Sequence, residues 1–124
     1  MKVVHLYTGD DGRSHFADLD VPMNAASLGG QSATLPAEGV IFRETPQGGE
    51  QDFHPAPRRQ FVITLSGQAE IELGDGTKRR FNAGDVMLAD DTSGQGHITR
   101  VTQGPRHYLF VTVPDSVDVS KWRA

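Results

Sequence analysis

Two imidazoles and one amide hold the densest chemistry in this chain: His54, Gln60 and His97. His54 lies in Gln51-Asp52-Phe53-His54-Pro55-Ala56-Pro57-Arg58-Arg59, a polar stretch punctuated by prolines, and Gln60 opens the run Gln60-Phe61-Val62-Ile63-Thr64-Leu65 that follows. His97 comes after the glycine-rich Asp90-Asp91-Thr92-Ser93-Gly94-Gln95-Gly96. Imidazole nitrogen and amide oxygen both ligate divalent metals, and a neutral amide leaves more positive charge on the ion than a carboxylate does. The chain has no cysteine, so disulfides and thiolate sites are excluded. Any ion (Zn, Fe, Mn or Ni) must then rely on His, Asp, Glu, Gln or backbone oxygen. The plainer alternative is a metal-free lumen in which the same three side chains are simply hydrogen-bonded.

Other groups extend the list of candidates. Arg58 shares a strand face with Gln60 and Val62, where a guanidinium would grip a carboxylate or phosphate bidentately. Arg58 and Val62 are therefore the expected substrate contacts. Arg59 and Arg43 read as solvated arginines in surface ion pairs, with Glu44 or Asp52 as partners. His15 supplies a third nitrogen if the first strands fold over the barrel mouth, in this chain or in a partner; His5 and His107 are further candidates. His107 alternates with Leu109 and Val111 and reads as a partly buried packing residue. Asp90, Asp91 and Asp52 flank the histidines and would serve as proton relays if buried, though adjacent acids in a glycine-rich loop are ordinarily solvated or tied into local turns. Tyr108, on the face of Phe110, reads as packing.

Short strands must position these groups. Lys2–Tyr7, Ser14–Leu19, Gln31–Leu35, Gly39–Thr45, Gln60–Leu65, Gln68–Leu73, Lys78–Asn82, Val86–Ala89, His97–Thr102 and Arg106–Val113 all read as β. Gly67 ends the run from Gln60. Pro22–Gly30 is an irregular loop with at most a helical turn. Gly74-Asp75-Gly76 between two strand-like runs is a hairpin signal. Trp122 packs the tail after Pro114. No apolar repeat of helical period persists, and 14 glycines and 7 prolines favour many short elements. A chain of 124 residues suits one domain. Breaks at this spacing indicate an antiparallel sandwich or barrel.

Bulk charge narrows the partners. A net charge of −4 argues against nucleic acid, which needs a basic surface, but leaves room for a small anion held by a few arginines inside a pocket. The opening Met1–Tyr7 is too short an apolar run for a signal peptide, and no stretch could span a bilayer, so a cytoplasmic protein without a membrane partner is expected. Phosphate-loop, dinucleotide-fold, HExxH and GxSxG patterns are absent in the required contexts, which argues against a nucleotide cofactor and against hydrolytic nucleophiles.

The span from Val40 to Val113 resembles the cupin superfamily, all-β antiparallel jelly rolls or double-stranded β-barrels. Gly48 or Gly49 leads the first motif, His54 matches its first histidine, Gln60 takes the place of its glutamate and Gly67 that of its closing glycine. Gly84-Asp85-Val86 opens the second motif and His97 takes its histidine. Ala56 stands where a second histidine belongs, Val101 where an asparagine belongs, and the loop before His97 is longer than the motif and lacks its proline. The resemblance implies one cupin domain over residues 1–124: N-terminal strands and loop to 38, barrel core 39–113, tail 114–124. It implies a divalent metal held by His54, Gln60 and His97, a small oxygen-rich metabolite as ligand, and isomerase, cyclase, lyase or oxygenase chemistry. A metal-free binding or sensor cupin without catalysis is the alternative. It also implies a homodimer in which the N-terminal strands add to a partner's sheet.

Overall fold

The computed structural model describes every residue from Met1 to Ala124. Ten strands follow one another: β1 (Lys2–Thr8), β2 (Ser14–Asp20), β3 (Asn24–Ala26), β4 (Gly29–Gln31), β5 (Gly39–Thr45), β6 (Glu50–His54), β7 (Gln60–Glu72), β8 (Lys78–Asn82), β9 (Val86–Asp90) and β10 (His97–Thr112). A single 3-10 turn, Ser120–Trp122, is the only helical element. No helix is long and apolar enough to cross a membrane.

The two longest strands, β7 and β10, organise the rest. They pair antiparallel along their whole length, with Gln60 opposite Thr112 at one end and Glu72 opposite Ile98 at the other. Midway the register shifts, around Gly67 in β7 and Gln103 to His107 in β10. Burial shows what the shift does. In β7 the buried positions are Gln60, Val62 and Thr64 before Gly67, but Ala69 and Ile71 after it. In β10 they are His97, Ile98 and Val101 before the irregularity, but Arg106 and Tyr108 after it. An extra residue on a bulged strand reverses the parity of the inward face, and here β7 turns from even to odd positions and β10 from odd to even at the same corner.

Each long strand thus belongs to two sheets. The first runs β2-β1-β9-β7-β10-β5, using the Gln60 half of β7 and the Arg106 half of β10. The second runs β8-β7-β10-β6, using the other halves. Side chains of both line one cavity, so the sheets face each other as an open barrel. This is the all-β architecture expected, with two strands where four were read. Gly67 does not end a strand; it is the corner. Its φ is +79°, and a Cβ there would lie 2.6 Å from the Gln103 carbonyl and 2.9 Å from Arg106 Cα.

β9 explains why Val86–Ala89 is apolar without alternation. Met87 and Ala89 face the barrel interior with Leu6, Val62, Ile71, Leu73, Phe81 and Tyr108. Leu88 faces the other way, into a second cluster with Val3, Leu19, Val21, Val113, Val117 and Val119. A strand buried on both faces reads as a continuous apolar run. Leu6, Leu19 and Leu88 are wholly buried, each worth about 2 kcal/mol relative to exposure. The tail closes the second cluster, with Trp122 packed against it as expected.

β1 pairs parallel with β9 and antiparallel with β2, so the N-terminal strands extend this chain's own sheet and leave β2 at its edge. Two expectations are corrected. Gln31–Leu35 is not a strand; a small hairpin, β3 with β4, precedes it where a loop was expected. The polar approach to His54 is itself a strand, β6, whose pairing with β10 is what fixes the histidine.

Candidate functional site

His54 and His97 are direct cross-strand partners on β6 and β10. Their ring centroids lie 4.6 Å apart, with the planes tilted by 53°. Gly96 makes the approach possible: its φ is +77°, and any Cβ there would fall 2.0 Å from the His54 carbonyl oxygen. Only glycine permits both that conformation and that contact.

Each ring is held through its Nδ1. His54 Nδ1 donates to the Asp52 carbonyl at 2.7 Å. His97 Nδ1 donates to Asp91 Oδ2 at 2.6 Å, and the same oxygen accepts from Ser14 Oγ at 2.6 Å. A carbonyl and a carboxylate can only accept, so both rings carry their proton on Nδ1. Neither Nε2 has a hydrogen-bond partner, and both present a lone pair. Fixing the distal nitrogen of an imidazole through its other N–H is how second partners orient metal-ligating histidines.

The two rings border a cavity of about 310 Å³. Gln60, Val62, Met87, Ala89, Arg106, Tyr108, Phe110 and Arg43 line it from the first sheet, Ile71 and Phe81 from the second, and Ala56 from the segment between β6 and β7. Gln60 is 2% exposed and its Oε1 receives only a long contact, 3.4 Å, from Arg58. The expected trio of His54, Gln60 and His97 therefore shares one lumen, with Val62 beside it. The donor set fits an ion in kind: two imidazole lone pairs and a lightly engaged amide oxygen. It is sparse, because no group of three His, Cys, Asp or Glu residues is arranged to hold an ion anywhere in the chain.

Several expected residues lie elsewhere. Arg58 is exposed and touches the site only through Gln60; it does not line the cavity. His15 is tied to Asp11 at 3.0 Å on the β1–β2 hairpin and does not line the cavity. His107 is exposed rather than packed, bonded to Ser66 at 2.9 Å. Arg59 is no surface arginine: it bonds Asp90 and the Pro114 and Val117 carbonyls, fastening the tail. Burial works against the Asp90 carboxylate, but the hydrogen bond from His5 and the charge of Arg59 prevail and hold its pKa below the ordinary value.

Asp91 is not a solvated loop acid either; it is wholly buried behind His97. The arginines that line the cavity are Arg106 and Arg43; Arg43 is exposed, as read, and Arg106 was not among the candidates. Arg106, Tyr108 and Phe110 alternate along β10, and that period-2 pattern could have revealed a shared inward face once the corner at Gly67 was known.

No family model matches the chain, and no curated protein matches it. Among solved structures, it is similar to a conserved protein of unknown function from Streptococcus pyogenes, at 20% identity over 67% of this chain and 82% of that one, with a TM-score of 0.45. It is also similar to KdgF from Halomonas sp., at 20% identity over 91% of this chain and 90% of that one, again with a TM-score of 0.45. Likeness at this level assigns neither a family nor an activity.

Proposed function

We propose that this is a small cupin-type protein whose lumen receives a small oxygen-rich metabolite at a divalent ion held by His54, His97 and Gln60. The observation that carries the reading is the paired imidazoles: cross-strand neighbours, each with Nδ1 engaged and Nε2 open on one cavity. A bound ion supplies Lewis acidity toward a ligand carbonyl or carboxylate. The chain supplies the rest. Asp91 and Ser14 keep His97 in the tautomer that exposes Nε2, the Asp52 carbonyl does the same for His54, and Val62, Ile71, Phe81 and Met87 give the lumen apolar walls. No aspartate or glutamate lines the cavity. The loop acid and His15 expected to move protons do not reach it, so the chemistry narrows to reactions needing no side-chain carboxylate as base.

The test is metal uptake by protein purified without an affinity metal and treated with chelator. Titration with Zn²⁺, Mn²⁺, Ni²⁺ or, under anaerobic conditions, Fe²⁺ should show one ion per chain, and saturation at a hundred times Kd should stabilise the fold by about 2.7 kcal/mol. His54→Ala and His97→Ala should each abolish both effects. The sparse donor set favours a second reading, a metal-free binding protein without catalysis. Absence of uptake with any of the four ions would refute the metal centre and leave that second reading standing.

A further inference from the structure

We infer that the lumen is built around the carboxylate of a small organic acid, and that Arg106 is the residue that binds it. The inference rests on the reading that the lumen takes a small molecule, but not on the metal.

Arg106 is 4% exposed and lines the cavity. Its one hydrogen bond is from Nη2 to Thr64 Oγ1 at 2.8 Å. Its Nε is buried without any partner. Every other buried or half-buried arginine near the core meets a carboxylate: Arg59 meets Asp90, Arg79 meets Asp18, and Arg100 meets Glu50, Glu70 and Glu72. Arg106 makes no ion pair. Its guanidinium lies instead 4.0 Å from the centroid of the Tyr108 ring, which attracts a cation but neutralises nothing. Burial pushes its pKa below the ordinary guanidinium value, yet arginine starts so high that it stays charged in proteins.

A permanent buried cation with an idle donor is an expense to folding unless something completes it. The protein does not complete it, since the lining includes no acidic side chain. The lining holds two arginines and two histidines inside a chain of net charge −4. The second arginine, Arg43, sits opposite Tyr108 on the neighbouring strand, its guanidinium 5.8 Å and 5.2 Å from the centroids of Tyr108 and Phe110. It is exposed, and so stands at the mouth, where it draws an anion inward.

The charge and shape select a carboxylate. One buried cation balances one negative charge, and a planar guanidinium fork against flanking aromatic rings matches a planar anion. A phosphate dianion would need further donors, and no helix terminus borders the cavity to provide them. A volume of about 310 Å³ lies at the small end of ligand pockets and accommodates a small organic acid.

The probes are sodium glycolate, pyruvate and malonate, with glycolamide and inorganic phosphate as controls, all at one ionic strength. Calorimetry on chelator-treated protein should show saturable binding of at least one carboxylate, at least tenfold tighter than glycolamide and tighter than phosphate. Arg106→Met should weaken it tenfold or more while raising the Tm of the ligand-free protein; Arg106→Lys should retain part of the affinity, and Arg43→Ala should cost a few-fold. The inference fails if none of the three acids binds either the metal-free or the metal-loaded protein. It also fails if glycolamide or phosphate binds as well as they do. Unchanged carboxylate affinity in Arg106→Met, or a lowered Tm, would show a structural arginine instead. Because uptake of metal is read separately through His54→Ala and His97→Ala, loss of the metal reading leaves this result intact.

Discussion

Arg59 and Arg106 are both withdrawn from solvent, yet their surroundings are built on opposite principles. Arg59 is saturated by a carboxylate and two backbone carbonyls, and its own carbonyl accepts from Val113 N. It ties the end of β9 to the tail and closes the second hydrophobic cluster. Arg106 has a single hydroxyl for company, an idle Nε and an aromatic face. The first arrangement is complete without any other molecule; the second is complete only with one. The same contrast divides the neighbouring acids. Asp90 ends β9 facing His5 and Arg59, while Asp91, one residue on, faces inward to Ser14 and His97. Strand alternation sends consecutive carboxylates to opposite sides, so one supports the exterior strap and the other the lumen. His5 Nδ1 and Asp91 Oδ1 are also buried without a partner, but both side chains face an opposite charge or its acceptor, and of the three only Arg106 makes no ion pair.

The sharpest way to break this comparison is to put the same side chain in both places. Arg59→Met leaves Asp90 half-paired and two carbonyls unserved, and should cost about 3 kcal/mol. Arg106→Met removes an unpaired charge and should stabilise the ligand-free protein by about 1 kcal/mol or more. Urea melts of both variants at pH 7 measure the difference directly. Equal losses would mean that Arg106 is as structural as Arg59.

Next in size is the pair of acids. Asp91→Asn keeps the shape but removes the charge that holds His97 Nδ1–H, and should weaken metal uptake by about 10- to 100-fold. Asp90→Asn should leave uptake unchanged, because nothing it touches lines the lumen. If both variants lose metal equally, the division between strap and lumen is wrong.

How much of this was legible in the sequence follows from what is local and what is not. The alternation of Gln60 and Val62 is local, and both line the cavity as read. The two histidines were found because their spacing from glycines is local as well. Arg106 was missed because its partners are not: its meaning depends on the absence of an acid from strands far away in the chain, which no window displays. Arg58 was chosen in its place by counting back from Gln60, but the chain before β7 is not a strand, so parity does not extend through Pro57. The bulge at Gly67 had the same effect on a larger scale. It reverses which residues face inward, and a sequence reader who takes the glycine for a strand end never sees that β7 continues around the corner. Asp91 was read as solvated because it sits in a polar, glycine-rich run; only the folding of β2 over that run, which brings Ser14 to it, buries the carboxylate.

The smallest effect belongs to the strap and is a matter of pH. In the folded chain the Asp90 carboxyl titrates below its ordinary value of 3.8, because His5 and Arg59 outweigh the opposing effect of burial. A carboxylate whose folded pKa is depressed contributes stability that is fully present above the unfolded pKa and is lost as the pH falls through the folded one. The gap in stability between the wild type and Asp90→Asn should therefore be present above the ordinary carboxylate value and should narrow as the pH falls below about 4 toward the folded one. Other acids lose their partners in the same acid range, Asp18 with Arg79 among them, so the wild-type curve alone cannot isolate Asp90; the difference between the two proteins can. A gap that does not narrow at all as the pH falls below about 4 would mean that the Asp90 side chain acts through shape and hydrogen bonding rather than charge, and the strap would then owe its completeness to the two carbonyls that Arg59 holds.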